Sequence, residues 1–141
     1  HVVRRAMTLT DTESLADRLV TAVSGGEKQR VMMARALAQE TAVLLLDEAT
    51  SAMDIRRKLQ VFRVLEQLNH DNGMTVLSVL HDINLAALFC RRLIFLRDGE
   101  LIADGPTQQV LTPEILETVY RTRVLVQEIT EVRRKQVVFL P

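Results

Sequence analysis

Ala42 to Leu46 is an uninterrupted apolar run that ends in two acids, Asp47 and Glu48. A run without polar alternation reads as a strand buried on both faces, as in the middle of a parallel sheet. A second such run, Met74 to Leu80, ends at His81. Between them Val61, Phe62, Leu65 and Leu68 form a helical stripe from about Ile55 to His70, stopped by Asn72-Gly73. Strand, helix and strand in this order imply a right-handed crossover between parallel strands. The expected fold class is therefore α/β.

The elements on either side follow from local signals. Ser24-x-x-Glu27 is a capping-box pattern, and Val31, Ala34, Leu37 and Ala38 continue it as a helix to about Gln39. Residues 5–19 suggest one or two short amphipathic helices broken near Thr10-Asp11-Thr12. Downstream, Asp82 to Cys90 reads as a short helix and Arg92 to Leu96 as a strand. Arg97-Asp98-Gly99 turns into a further strand from Glu100 to Ala103. Pro106 and Pro113 introduce helical segments over Thr107 to Leu111 and Glu114 to Val119. From Arg121 the alternation of Val124-Leu125-Val126 and the run Val137 to Leu140 predict a terminal β-hairpin, with Arg133-Arg134-Lys135 as a solvated basic turn. Three stretches result: 1–40, 41–120 and 121–141.

Composition narrows the class. The 141 residues are 48% apolar, enough for a core, and 18 basic residues balance 18 acidic ones. Zero net charge argues against a nucleic-acid partner, which needs a positive field. The single cysteine, Cys90, cannot form an internal disulfide and reads as a small buried hydrophobe, so an intracellular setting is expected. No apolar run approaches the roughly 18 residues of a membrane span. His1-Val2-Val3-Arg4-Arg5 reads as an internal starting point.

Four groups could carry chemistry. Ser24, Gly25 and Gly26 stand at a helix start, where unpaired amides and the positive end of the helix dipole can meet a phosphate; the plain alternative is a capped helix after a turn. Asp47 and Glu48 follow a strand, so one can hold magnesium through its waters while the other polarises an attacking water; the alternative is two exposed acids. Asp54, before the Ile55 helix, fits an N-cap. His81 can donate to a phosphate oxygen or serve the fold. No stretch reads Gly, four residues, Gly-Lys-Ser/Thr, the loop that cradles nucleotide phosphates.

The ordered set Ser24-Gly25-Gly26-Glu27, helix, apolar strand, Asp47 to Asp54, helix, strand, Leu80-His81-Asp82 resembles the ATP-binding subunit of ABC transporters over essentially the whole chain. Val23 to Arg30 is similar to the family's signature, Val43 to Glu48 to its Walker B strand, Ser51 to Asp54 to its D-loop, and His81 to its switch histidine. Ala49 stands where proline is frequent and Met53 where leucine is usual. The resemblance implies the parallel-sheet core of a P-loop NTPase, truncated at its amino terminus so that the Walker A half is absent, with a carboxyl-terminal β-hairpin. Residues 1–40 would then close the helical subdomain and carry the signature, and 41–120 would form the later part of the ATPase core.

The same resemblance implies ATP and Mg2+ as ligands. Asp47 would organise the metal, Glu48 would act as general base and His81 would contact the γ-phosphate. The signature Ser24, Gly25, Gly26 and Glu27 would meet ATP held by a second ATP-binding subunit in a homodimer, with Asp54 coupling the two sites. Integral membrane permease subunits would hold the protein on the inner face of the cell membrane. Leu80 to Ala86, the Leu96-Arg97-Asp98-Gly99 turn, Ala103-Asp104-Gly105 and the hairpin look like importers of ferric siderophores, heme and cobalamin. The 141 residues alone are expected to be inactive and, with apolar surface uncovered, to self-associate. Two alternatives stay open: a non-hydrolytic module pairing with a full-length ATPase, and a non-transport ABC ATPase.

Overall fold

Helix α1 (Val2–Leu9) stops where Thr10 turns its hydroxyl back onto the Ala6 carbonyl, at 3.0 Å, and pairs with the hydroxyl of fully buried Thr12. Single 3-10 turns follow at Glu13–Leu15 and Val20–Ala22. At the break expected at Thr10 to Thr12, the two threonine hydroxyls join their own amides on the Ala6 and Met7 carbonyls at the end of the helix. This computed structural model describes residues 1–141, and its contacts group into two units, His1–Leu80 and His81–Pro141.

In the first unit the capping box forms as the sequence predicts. Ser24 accepts from the Glu27 amide at 3.3 Å and its own amide donates to Glu27 Oε2 at 2.7 Å, opening α2 (Gly25–Leu37). Strand β1 (Val43–Asp47) leads through two turns to α3 (Ile55–Asn72), which Gly73 ends in the left-handed conformation that glycine adopts without penalty. β2 (Thr75–Val79) then pairs parallel with β1, from Val43 beside Thr75 to Asp47 beside Val79. Asp11 ties the helices together: its carboxylate takes Arg57 of α3 and Arg30 of α2, and Arg30 also donates to the Asp11 carbonyl at 2.5 Å.

The expectation of strands buried on both faces is corrected. Leu44 and Leu46 are buried, but Leu45 on the other face is 69% exposed, and its partner across the pair, Leu77, is 55% exposed. Val43 and Val79 extend the same open face. Side chains alternate along a strand, and only one side of this two-stranded sheet is covered.

The second unit begins with α4 (Ile83–Phe89), whose first amides, Asn84 and Leu85, both donate to Asp82 at 3.0 Å. β3 (Arg92–Arg97) and β4 (Glu100–Pro106) form an antiparallel hairpin whose turn, Asp98-Gly99, is left-handed at both residues. Arg92 grips Asp104 across the strands through two 2.8 Å hydrogen bonds. α5 (Thr107–Val110) and α6 (Pro113–Tyr120) follow, the latter with proline at its first position, and bring fully buried Leu111 and Leu116 into the core. Cys90 is half-buried, and burial pushes its thiol pKa up.

The terminal hairpin is β5 (Val124–Ile129) paired with β6 (Arg134–Phe139). Asn84 docks α4 on it by imitating a strand: its side-chain amide donates to the Val137 carbonyl at 3.1 Å and accepts from the Val137 amide at 2.7 Å. The reading of Arg133-Arg134-Lys135 as a solvated turn is corrected for two of the three. Arg134 and Lys135 lie in β6, where Arg134 donates to the Leu88 carbonyl and Lys135 to those of Gln108 and Leu111. Cations there satisfy carbonyls that the short helices α4 and α5 leave without helical partners.

Candidate functional site

β1 delivers the acids. Asp47 is its last residue and Glu48 the first beyond it, and both are exposed at the carboxyl end of the parallel pair. Glu48 has φ 46°, a left-handed conformation that is uncommon for a residue with a β-carbon. Simple strand alternation therefore does not describe how the two carboxylates diverge, because the chain turns at Glu48. The Ser51 amide donates to the Glu48 carbonyl at 3.0 Å and the Met53 amide to that of Thr50 at 3.1 Å, giving two consecutive turns. Buried Thr50 and Met53 anchor them.

These turns touch the start of α2. Gln29 donates from Nε2 to Ser51 Oγ at 3.0 Å, and its Oε1 accepts from the Ala52 amide at 3.0 Å. Below them a β-carbon on Gly26 would stand 3.3 Å from the Ala52 carbonyl oxygen, while Gly25 has open space around it. Ser24 and Gly25 are exposed at the same helix start. Asp54 does cap a helix: its carboxylate accepts from the Arg57 amide at 3.0 Å. The first unit thus links the Ser24 to Glu27 turn with the segment running from Glu48 to Asp54. His81 lies in the second unit, exposed, immediately before the capping Asp82.

The sequence reading assigned no role to Gln29, Arg30 or Asp11. One signal was available for the first two: Gln29 and Arg30 stand three and four residues after Gly26, on the same helix face. The left-handed Glu48 left no trace in the sequence.

Electrostatically, Glu27 is held below the ordinary carboxylate range, first by the Ser24 amide and then by the Ser24 hydroxyl. No three of the histidines, cysteines and acids gather as a metal cage. The donor set at the strand end, the two carboxylate oxygens of exposed Asp47, fits a hard cation that keeps waters and takes phosphate oxygens. A cleft of about 280 Å³ lies at the opposite, amino-terminal end of the strands, beside Thr41, Ala42 and Met74. It holds none of the residues singled out above.

The family profile described as ABC transporter matches residues 1–51. Over 126 residues, 89% of this chain, the sequence is 40% identical to the ferric enterobactin transport ATP-binding protein FepC of Escherichia coli (strain K12), of which the match covers 46%. The chain is similar to the ATP-binding proteins of ABC transporters over most of its length. Hemin and cobalamin import ATP-binding proteins from Vibrio vulnificus and Halobacterium salinarum match it at 40% and 41% identity. Among solved structures, an inward-facing metal-chelate type ABC transporter superposes with a TM-score of 0.88 at 30% identity, covering 99% of this chain and 57% of that one. The ATP-binding cassette MJ0796, dimeric and bound to ADP and Pi, superposes with a TM-score of 0.70 at 35% identity, covering 74% of this chain and 45% of that one. The chain therefore spans about half the length of the relatives it matches, and its fold is that of part of an ABC transporter ATP-binding protein. No helix is long and apolar enough to cross a membrane.

Proposed function

We propose that the chain supplies the carboxyl-terminal half of an ATP-hydrolysing site that drives import of an iron chelate, heme or a cobalamin-like substrate. The observation that carries this is the Asp47-Glu48 pair at the carboxyl end of parallel β1, in the same unit as the Ser24 helix start that Gln29 ties to Ser51 and Ala52.

Asp47 holds Mg2+ in this reading, and the ion, when bound, offsets charge on the nucleotide phosphates. Glu48 takes a proton from the attacking water and His81 donates to the γ-phosphate. Ser24, Gly25, Gly26 and Glu27 form a helix start whose Gly25 and Gly26 amides face ATP held by a second copy, with Ser24 and Glu27 holding the turn through their capping box, and Asp54 couples the two copies. The ADP-bound dimeric cassette supports that pairing by likeness. Permease subunits place the assembly on the inner face of the membrane, and the matches to ferric enterobactin, hemin and cobalamin ATP-binding proteins support the substrate class.

The 141 residues contain no Gly-x4-Gly-Lys-Ser/Thr loop, so they are expected not to turn over ATP unaided. The test is to join this chain behind the amino-terminal half of the ferric enterobactin relative and compare Glu48→Gln with the unaltered fusion. Loss of a base acting at the transition state lowers turnover by about 10²–10⁴-fold while ATP binding persists. Equal turnover in the two fusions would remove Glu48 from the mechanism.

A further inference from the structure

Gln29 makes both ends of its side-chain amide count. An amide NH2 can only donate and an amide oxygen can only accept. The Ala52 N–H must face the oxygen, which leaves the NH2 for Ser51 Oγ, and the two 3.0 Å distances agree with that orientation. One turn earlier on the same helix face, Gly26 lets the Ala52 carbonyl approach closely. The helix start that carries Ser24 and the turn that leads to Asp54 are therefore joined by two directional hydrogen bonds and a tight van der Waals contact.

We propose that Gln29 is a positioning residue that makes the Ser24 turn and the Ser51 to Asp54 segment move as one. If the nucleotide reading above holds, a phosphate seated on the Gly25 and Gly26 amides then also fixes the segment that follows the Asp47-Glu48 pair. The coupling is intramolecular and can be measured without nucleotide, so its failure and the failure of the ATPase reading are separate results.

The test uses this chain, with amide exchange followed residue by residue in NMR spectra. Gln29→Met keeps the length of the side chain and removes both hydrogen bonds. Gln29→Glu keeps an acceptor for the Ala52 amide, and its other oxygen can accept from the Ser51 hydroxyl. The Ala52 amide is expected to exchange about tenfold faster in Gln29→Met, the equivalent of one hydrogen bond of about 1.4 kcal/mol, and to recover in Gln29→Glu. Glu27, inside the capping box, serves as the folding control and should not change. Ser24→Ala should shift the Ala52 amide resonance in the unaltered chain and cease to do so in Gln29→Met, the signature of a coupling carried by this side chain. If Gln29→Met fails to fold, Ser51→Ala removes the Oγ partner from an exposed turn and should speed Ala52 exchange two- to threefold. Ala52 exchange within experimental error of the unaltered chain in either variant, or a Ser24→Ala shift that persists without Gln29, would overturn the proposal.

Discussion

The Ala52 carbonyl oxygen sits 3.3 Å from where a β-carbon on Gly26 would stand, while the same construction on Gly25 meets nothing within 4 Å. Neighbouring glycines in one motif thus have different reasons to be glycine. Gly25→Ala should stabilise the chain by about 0.4–1 kcal/mol, because alanine restricts the unfolded chain at a backbone it can adopt. Gly26→Ala must push back a turn that Gln29 holds, and should be less stable than Gly25→Ala by about 1 kcal/mol. Urea midpoints of the two variants measure the difference, and equal midpoints would show that the turn yields freely.

Glu27 makes the start of α2 sensitive to acid. Its pKa is lowered in the fold by the Ser24 amide and hydroxyl, so the unfolded chain takes up the proton more readily. The stabilisation is complete above the ordinary glutamate value of 4.5 and is lost as pH falls through the lower folded value. Glu27→Gln should flatten the acid limb of the stability profile below the ordinary glutamate value of 4.5. A variant whose acid limb matches that of the unaltered chain would show that the capping box adds nothing to acid stability.

Asn84 should prove a structural residue of the second unit. Its side chain serves both peptide groups of buried Val137, so Asn84→Ala leaves a donor and an acceptor to find water. A cost of about 1–3 kcal/mol is expected, with loss of protection at the Val137 amide. Arg133→Ala, an exposed change between the two strands, should stay within about 0.5 kcal/mol.

Leu45 and Leu77, side by side on the uncovered face of the parallel pair, predict concentration-dependent association. Sedimentation velocity of the 141-residue chain should show species larger than a monomer. Leu45→Lys combined with Leu77→Lys should return it to a monomer without unfolding it. A monomer at all concentrations in the unaltered chain would assign this face no part in association.

Residues whose partners lie nearby in sequence were legible in advance. Ser24 and Glu27 announce α2, Asp54 and Gly73 bracket α3, and Pro113 opens α6, because caps and breakers act within one turn of the chain. What stayed hidden depends on distant packing. The run Val43 to Leu46 says which side chains can be buried, not which side of the sheet is covered, so Leu45 was expected inside and stands outside. Lys135 looked like a solvated charge because the carbonyls it serves, Gln108 and Leu111, lie more than twenty residues away. At the candidate site the acids, the helix start and the capping Asp54 were visible as motifs. The Gln29 bridge to Ser51 and Ala52 was not, since its spacing from Gly26 puts it on one helix face but its partners lie more than twenty residues away.

The most direct measurement is a calorimetric titration of Mg-ATP into this chain alone and into the same chain joined to a phosphate-loop half. We predict binding only in the joined protein, because these 141 residues contain no Gly-x4-Gly-Lys-Ser/Thr loop to cradle the phosphates. Stoichiometric binding by the 141 residues alone would mean that a different cradle exists and would contradict the assignment of Ser24 to Glu27 and Asp47-Glu48 as one half of a shared site.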